Sequence, residues 1–221
     1  MEYSLNETEA RVLGVLIEKQ MTTPDYYPLT LNALVNGCNQ KSNRYPVTNW
    51  SEAEVENALQ DLRNRHLVWQ VKTHGSRAAK FEHNMKEVAD FSTSELGILC
   101  TLLLRGPQTA GELKSRTARM VEFHGLAAVE HTLQKLMSHE KGPFAEKRMR
   151  MTGQKESRYV QLFCPVGPDE PIADPDSSSP AKPVENVDPD RLDRLEERVE
   201  SLETELLDLK TEFLEFRKQF E

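Results

Sequence analysis

The chain has 221 residues, 38% of them hydrophobic and 29% charged, with a net charge of -8, which suits one large domain or two small ones plus a tail. No apolar run approaches the ~20 residues that span a bilayer, and "MEYSLNETEARVLG" lacks the basic start of a signal peptide. Cys38, Cys100 and Cys164 form no CxxC pair, so a disulfide framework is excluded, a reducing cytoplasm is expected, and each reads as a small buried hydrophobe.

In chain order, "ETEARVLGVLI" (7–17) places Glu9, Val12, Leu13, Leu16 and Ile17 at helical spacing. Ser4 or Asn6 can cap this helix. A short second helix is predicted over "LTLNALVNGC" (29–38). Roughly a dozen polar residues come next, where a helix-turn-helix reader of DNA uses three or four. The third helix begins near Ser51, which forms a capping box with Glu54, and it opens on Glu52, Glu54 and Glu56. Two extended segments, "LVWQVK" (67–72) and "AAKFEH" (78–83), then flank a turn at Gly75.

The plan repeats. "TSELGILCTLL" (93–103) matches the first helix at an offset of 86, with Glu95, Ile98, Leu99, Leu102 and Leu103 in its stripe and Ser92 or Ser94 as cap. "TAGELKSRTAR" (109–119) supplies a second helix, and a third starts near Leu126. Within the third helices, "VENALQDL" (55–62) and "VEHTLQKL" (129–136) share V-E-x-x-L-Q-x-L at an offset of 74. "PFAEKRMRM" (143–151) and "SRYVQLF" (157–163) close the copy around Gly153. The offsets place about a dozen extra residues in the first copy, assigned to the polar stretch before Ser51. Three helices and a hairpin, used twice, make a tandem winged-helix protein. It is mainly α with small β-hairpins (α+β), with one unit over 1–90 and another over 91–164.

Residues 165–190 are rich in Pro, Asp and Ser, the composition of a flexible linker. From 191 to 221 the chain carries a heptad, with Leu192, Val199, Leu206, Phe213 and Phe220 at a and Leu195, Leu202, Leu209 and Phe216 at d. As one helix it would extend ~45 Å. In a parallel pair, g-to-e contacts would join Arg191 to Glu196, Arg198 to Glu203, Glu205 to Lys210 and Glu212 to Arg217, all of opposite sign. A homo-oligomeric coil is expected; the stripe would also suit one amphipathic helix lying on its own body.

"LNETEARVLGVLIEKQMTTPDYYPLTLNALVNGCNQKSNRYPV", "LLLRGPQTAGELKSRT" and the closing coil resemble the YceH family of bacterial proteins, a likeness covering about residues 5 to 165. The resemblance implies a tandem winged-helix fold and a cytoplasmic bacterial protein. It supplies no catalytic or ligand residues.

The residues carry no enzymatic motif. His66, His74, His83, His124, His131 and His139 form no HxH or HExxH and read as surface histidines. Neither P-loop, GxGxxG nor GxSxG occurs, so no catalytic residue, metal or cofactor is expected. Binding is the alternative. Residues 92–164 hold 11 Lys+Arg against 7 Asp+Glu, whereas 1–91 hold 10 against 12 and 165–221 hold 7 against 17. In a winged helix the third helix enters the major groove and the wing touches the backbone. The acids opening the first copy's third helix would face phosphates, leaving Lys41, Asn43 and Arg44 of the polar stretch as substitutes beside Tyr45 and Trp50, which read as pins. The second copy offers Lys114, Arg116 and Arg119 on its second helix and Lys147, Arg148, Arg150, Lys155 and Arg158 on its hairpin. Alternation puts Arg148 and Arg150 on one side, as a phosphate clamp. A dimeric DNA-binding regulator is the first expectation. A protein-interaction adaptor, similar to the acidic tandem winged-helix subunits of bacterial condensin, is the alternative.

Overall fold

The protein is described by a computed structural model over residues 4–71, 78–149 and 156–165. The predicted turns at Gly75 and Gly153, the linker and the coil from Leu192 to Phe220 lie outside the described residues. The fold is a mixture of helices and small antiparallel sheets. None of the helices among the described residues is long and apolar enough to cross a membrane.

Helix α1 (Glu7–Thr22) starts on Asn6, whose side chain accepts from Glu9 N–H while the Glu9 carboxylate accepts from Asn6 N–H. The first orphan amides of the helix are thereby satisfied from within. Helix α4 (Thr93–Arg105) is capped in the same way by Ser92 and Glu95. The two stripes seen in the sequence are buried, Val12, Leu13, Leu16 and Ile17 on α1 and Ile98, Leu99, Leu102 and Leu103 on α4. Gly14 lets the two helices approach: a Cβ there would stand 2.9 Å from Leu104 Cδ2 and 3.2 Å from Leu103 Cβ. Cys100 Sγ donates to the Gly14 carbonyl at 3.4 Å in the same seam. One apolar core thus runs through both copies of the plan, and the chain from Met1 to Pro168 forms one compact unit.

Strand β1 (Leu29–Thr30) leads into α2 (Leu31–Cys38), then α3 (Glu52–Asn64), β2 (Val68–Val71) and β3 (Lys80–His83). The second copy runs α4, α5 (Ala110–Thr117), α6 (Leu126–Met137), β4 (Ala145–Lys147) and β5 (Tyr159–Gln161). The first sheet has the order β1-β3-β2, all antiparallel, with Leu29 opposite Phe81 and Gln70 opposite Phe81 on the other side. Strands β4 and β5 pair Ala145 with Gln161 and Lys147 with Tyr159. A single bridge between Gln108 and Tyr159 stands where β1 pairs in the first copy. Periodicity over two residues cannot announce a strand, so β1 is new to the structure.

The extra dozen residues are not all in the stretch before Ser51. Helix α1 has 16 residues against 13 for α4. The α1–α2 connection exceeds its counterpart by four residues, including a 3-10 turn at Pro24–Tyr26. Residues 39–51 exceed 118–125 by five. The sequence offset measures only the total between aligned helices, so it could not divide this length among them.

The copies are also joined at their ends. Leu5 N–H donates to Phe163 O at 2.6 Å. Within the first copy, Arg65, at the end of α3, donates to the buried Glu9 carboxylate at 3.0 Å.

Candidate nucleic-acid interface

Four elements build the basic region of the second copy: α5, α6 and the two strands of the β4–β5 hairpin. Thr109 caps α5 by accepting from Glu112 N–H, and the Glu112 carboxylate accepts from Thr109 N–H at 2.7 Å. Leu113 and Thr117 turn into the core, which leaves Lys114 and Arg119 exposed. On α6, Val129, Thr132, Leu133 and Leu136 are buried. Its solvent face carries Ala127, Glu130, His131, Gln134 and Lys135. Lys147 projects from β4 with its Nζ 5.7 Å from the centre of the Tyr159 ring. Arg148 follows the end of β4, its Nε 3.9 Å from Glu146 Oε1, and its backbone N–H donates to Arg158 O at 2.8 Å. Arg150 and Lys155 lie outside the described residues.

Two of the cations expected here are engaged inside the fold. Arg158 donates to Pro107 O at 2.9 Å and to Glu112 Oε2 at 3.0 Å. Arg116 donates to Gln108 Oε1 and lies 3.8 Å from Glu112 Oε1. Glu112 thus serves as cap, acceptor and counter-ion together. In sequence it stands 46 residues from Arg158, beyond the reach of any local pattern.

In the first copy the polar stretch sends Arg44 inward. Arg44, expected as a contact residue, is 5% exposed. Its guanidinium forks onto Glu18 at 3.1 and 2.6 Å and donates to Gln40 Oε1, Asn43 O and Gly37 O. It cannot reach a phosphate without vacating five acceptors, so it is structural. Arg11, 3% exposed, donates to Cys38 O at 3.0 Å and Pro46 O at 2.7 Å, with its guanidinium carbon 5.3 Å from the centre of the Trp50 ring. Burial, and after it the Arg44 charge, lowers the Arg11 pKa. Asn39 and Trp50 exchange two hydrogen bonds of 2.8 Å that close the base of the loop. Trp50 packs against the core as a pin, whereas Tyr45 is held through its backbone, its N–H donating to Leu104 O at 2.9 Å. Lys41 and Asn43 remain exposed, with Asn43 Oδ1 accepting from Arg105.

The acids of α3 take the positions anticipated for them. Ser51 and Glu54 form the capping box, and Glu52, Glu54 and Glu56 are exposed. Hydrogen bonding to Ser51 lowers the Glu54 pKa.

The histidines and cysteines depart in part from expectation. His66, His124 and His131 are exposed, but His83 is not an ordinary surface group. Met85 N–H donates to its Nδ1 at 3.4 Å, so its proton sits on Nε2, 2.6 Å from Gln20 Oε1. Burial pushes its pKa down to about 4. His139 is partly buried, its ring centre 5.7 Å from that of Phe91 and 5.0 Å from that of Phe144. His74 lies outside the described residues. Cys38 and Cys100 are buried, whereas Cys164 is only partly so. Burial pushes the Cys38 thiol up to about 12 and raises the other two.

Comparison with known proteins places this architecture. Residues 5–154 match a family described as a protein of unknown function, DUF480. The chain is 49% identical over 168 residues to UPF0502 protein YceH of Salmonella paratyphi A, an alignment covering 74% of this chain and 78% of that protein. The UPF0502 proteins YceH of Escherichia fergusonii and Salmonella agona align with the same identity and coverage. The matched region runs from α1 through β4 and holds the buried Arg11 of α1 and Arg44 of the loop, and the chain belongs to the YceH (DUF480) family.

Proposed function

We propose that the chain is a non-enzymatic tandem winged-helix protein that binds duplex DNA through its second copy, acting as a regulator paired through residues 191–221. The observation that carries this reading is the contrast between the two third helices. The solvent face of α6 holds one acid, Glu130, and one cation, Lys135, and is flanked by exposed Lys114, Arg119 and Lys147. The face of α3 opens on Glu52, Glu54 and Glu56, which would repel phosphates at close range. In this reading α6 approaches the major groove and the hairpin grips the backbone.

Titration of the full chain with a labelled duplex at several salt concentrations tests it. Each phosphate neutralised contributes about -0.9 to the slope of log affinity against log salt, so four contacts lose about a hundredfold between roughly 50 and 200 mM. Lys114→Ala, Arg119→Ala and Lys147→Ala should each make the slope shallower by about 1. A chain that leaves duplex unbound at low salt supports the second reading, a protein-interaction adaptor, which the exposed acids of α3 favour.

A further inference from the structure

The loop of residues 39–51 belongs to the first copy, yet its tip ends on the second. Tyr45 N–H donates to Leu104 O at 2.9 Å, and the next residue, Arg105, donates to Asn43 Oδ1. These contacts meet the last turn of α4, just before Gly106, whose φ of 69° turns the chain toward α5. The turn over 106–108 is the point from which both α5 and the hairpin hang. Gln108, 3% exposed, exchanges backbone hydrogen bonds of 3.0 and 2.7 Å with Tyr159, and its side-chain amide donates to Arg105 O at 3.1 Å.

We infer that Asn43 is a positioning residue for the second hairpin: it carries the anchorage of the first-copy loop, through Arg105, to the turn that sets β5. The loop side of the joint is stiff, because Asn43 O accepts from Arg44, itself clamped on Glu18. The hairpin side is stiff as well, because Arg158 donates to Pro107 O within that turn. A side chain held between two such supports transmits their relative position, and removing it loosens the joint between them. An exposed loop residue in one copy thereby governs the order of a hairpin in the other, without meeting it.

The experiment is hydrogen exchange on the full chain carrying Asn43→Gly, which keeps the positive φ of 61° available while deleting the acceptor. Loss of one charge-assisted hydrogen bond at a part-exposed site predicts exchange about fivefold faster in peptides over 106–112 and 156–163. Peptides of α2 and β3 should be unchanged. Asn43→Asp, which retains the oxygen, should restore protection, and Lys41→Ala should have no effect. Unchanged exchange over 106–112 and 156–163 in Asn43→Gly overturns the inference, as does an equal change in Lys41→Ala. A second arm rests on the DNA reading. There, Asn43→Gly should weaken duplex binding a few-fold with an unaltered salt slope, since no phosphate contact is lost. A shallower slope would instead make Asn43 a direct contact and overturn its positioning role. Wild-type chain that binds no duplex removes the DNA reading alone and leaves exchange to decide.

Discussion

Arg44 offers the sharpest test of how the enlarged connection is held. Its side chain is fully buried against a Glu18 carboxylate that is 14% exposed, at 2.6 Å. Arg44→Met keeps much of the apolar stem and deletes the fork. The variant leaves a largely buried carboxylate with the weaker support of Lys19, 3.8 Å away, and Gly37 O, Asn43 O and Gln40 Oε1 without their donor. Breaking a buried ion pair from one side costs about 3–5 kcal/mol, and the residual exposure of Glu18 argues for about 3. For a protein of this size that lowers Tm by roughly 6–12 °C. Urea unfolding of the full chain, monitored by circular dichroism, measures it. Adding Glu18→Gln removes that charge, so the double variant should recover about 2 kcal/mol relative to the sum of the single changes. A cost below about 1 kcal/mol for Arg44→Met, or strict additivity with Glu18→Gln, would refute the buried clamp.

Buried geometry sets two further outcomes. With its pKa depressed to about 4 from an ordinary 6.5, His83 binds its proton in the unfolded chain first. Its contribution is therefore complete above pH 6.5 and lost as pH falls toward 4, amounting to at most about 3 kcal/mol. His83→Gln should flatten urea-derived stability across that window, and an unchanged pH profile would contradict the half-buried neutral ring. Gly37→Ala would place a Cβ 2.6 Å from Val15 Cγ1 and should cost about 1–3 kcal/mol of unfolding free energy. Val15→Ala in the same chain should restore part of it, and a neutral Gly37→Ala would mean that α1 and α2 are less closely packed.

The features legible in the sequence were those that local chemistry decides. The stripes of α1 and α4 come from side-chain spacing, and the Ser51–Glu54 capping box requires only residues three apart. The hairpin segments were visible for the same reason, although β4 spans only Ala145–Lys147 of the longer run expected. What escaped depends on partners distant along the chain. Nothing near Arg44 announces Glu18, 26 residues earlier, and nothing near Arg158 announces Glu112. Composition gave both arginines the same weight as Lys114. Burial then divided them, because a guanidinium offers a planar set of donors that can satisfy carbonyls and a carboxylate inside a fold, while a lysine ammonium is more strongly hydrated. The exposed candidates within α5 and β4, Lys114 and Lys147, are lysines, and the cations taken inward, Arg44 and Arg158, are arginines.

The same division explains how two copies of one plan came to differ in surface. Aligning the shared V-E-x-x-L-Q-x-L puts Glu52 opposite Leu126, Glu54 opposite Ala128 and Asp61 opposite Lys135. Each change makes α3 more acidic than α6, while the buried positions Val55 and Val129, Leu59 and Leu133, and Leu62 and Leu136 are identical. The core therefore repeats at these three positions, with Ala58 against Thr132 at the fourth, and the difference in charge lies on the solvent face. In the first copy that divergence accompanies a longer connection in which Arg44 faces the interior while Lys41 stays exposed. With Arg44 withdrawn and its third helix acidic, the first copy presents the more acidic surface of the two. The second keeps Lys114, Arg119 and Lys147 exposed, and the Asn43–Arg105 bond joins one copy to the other.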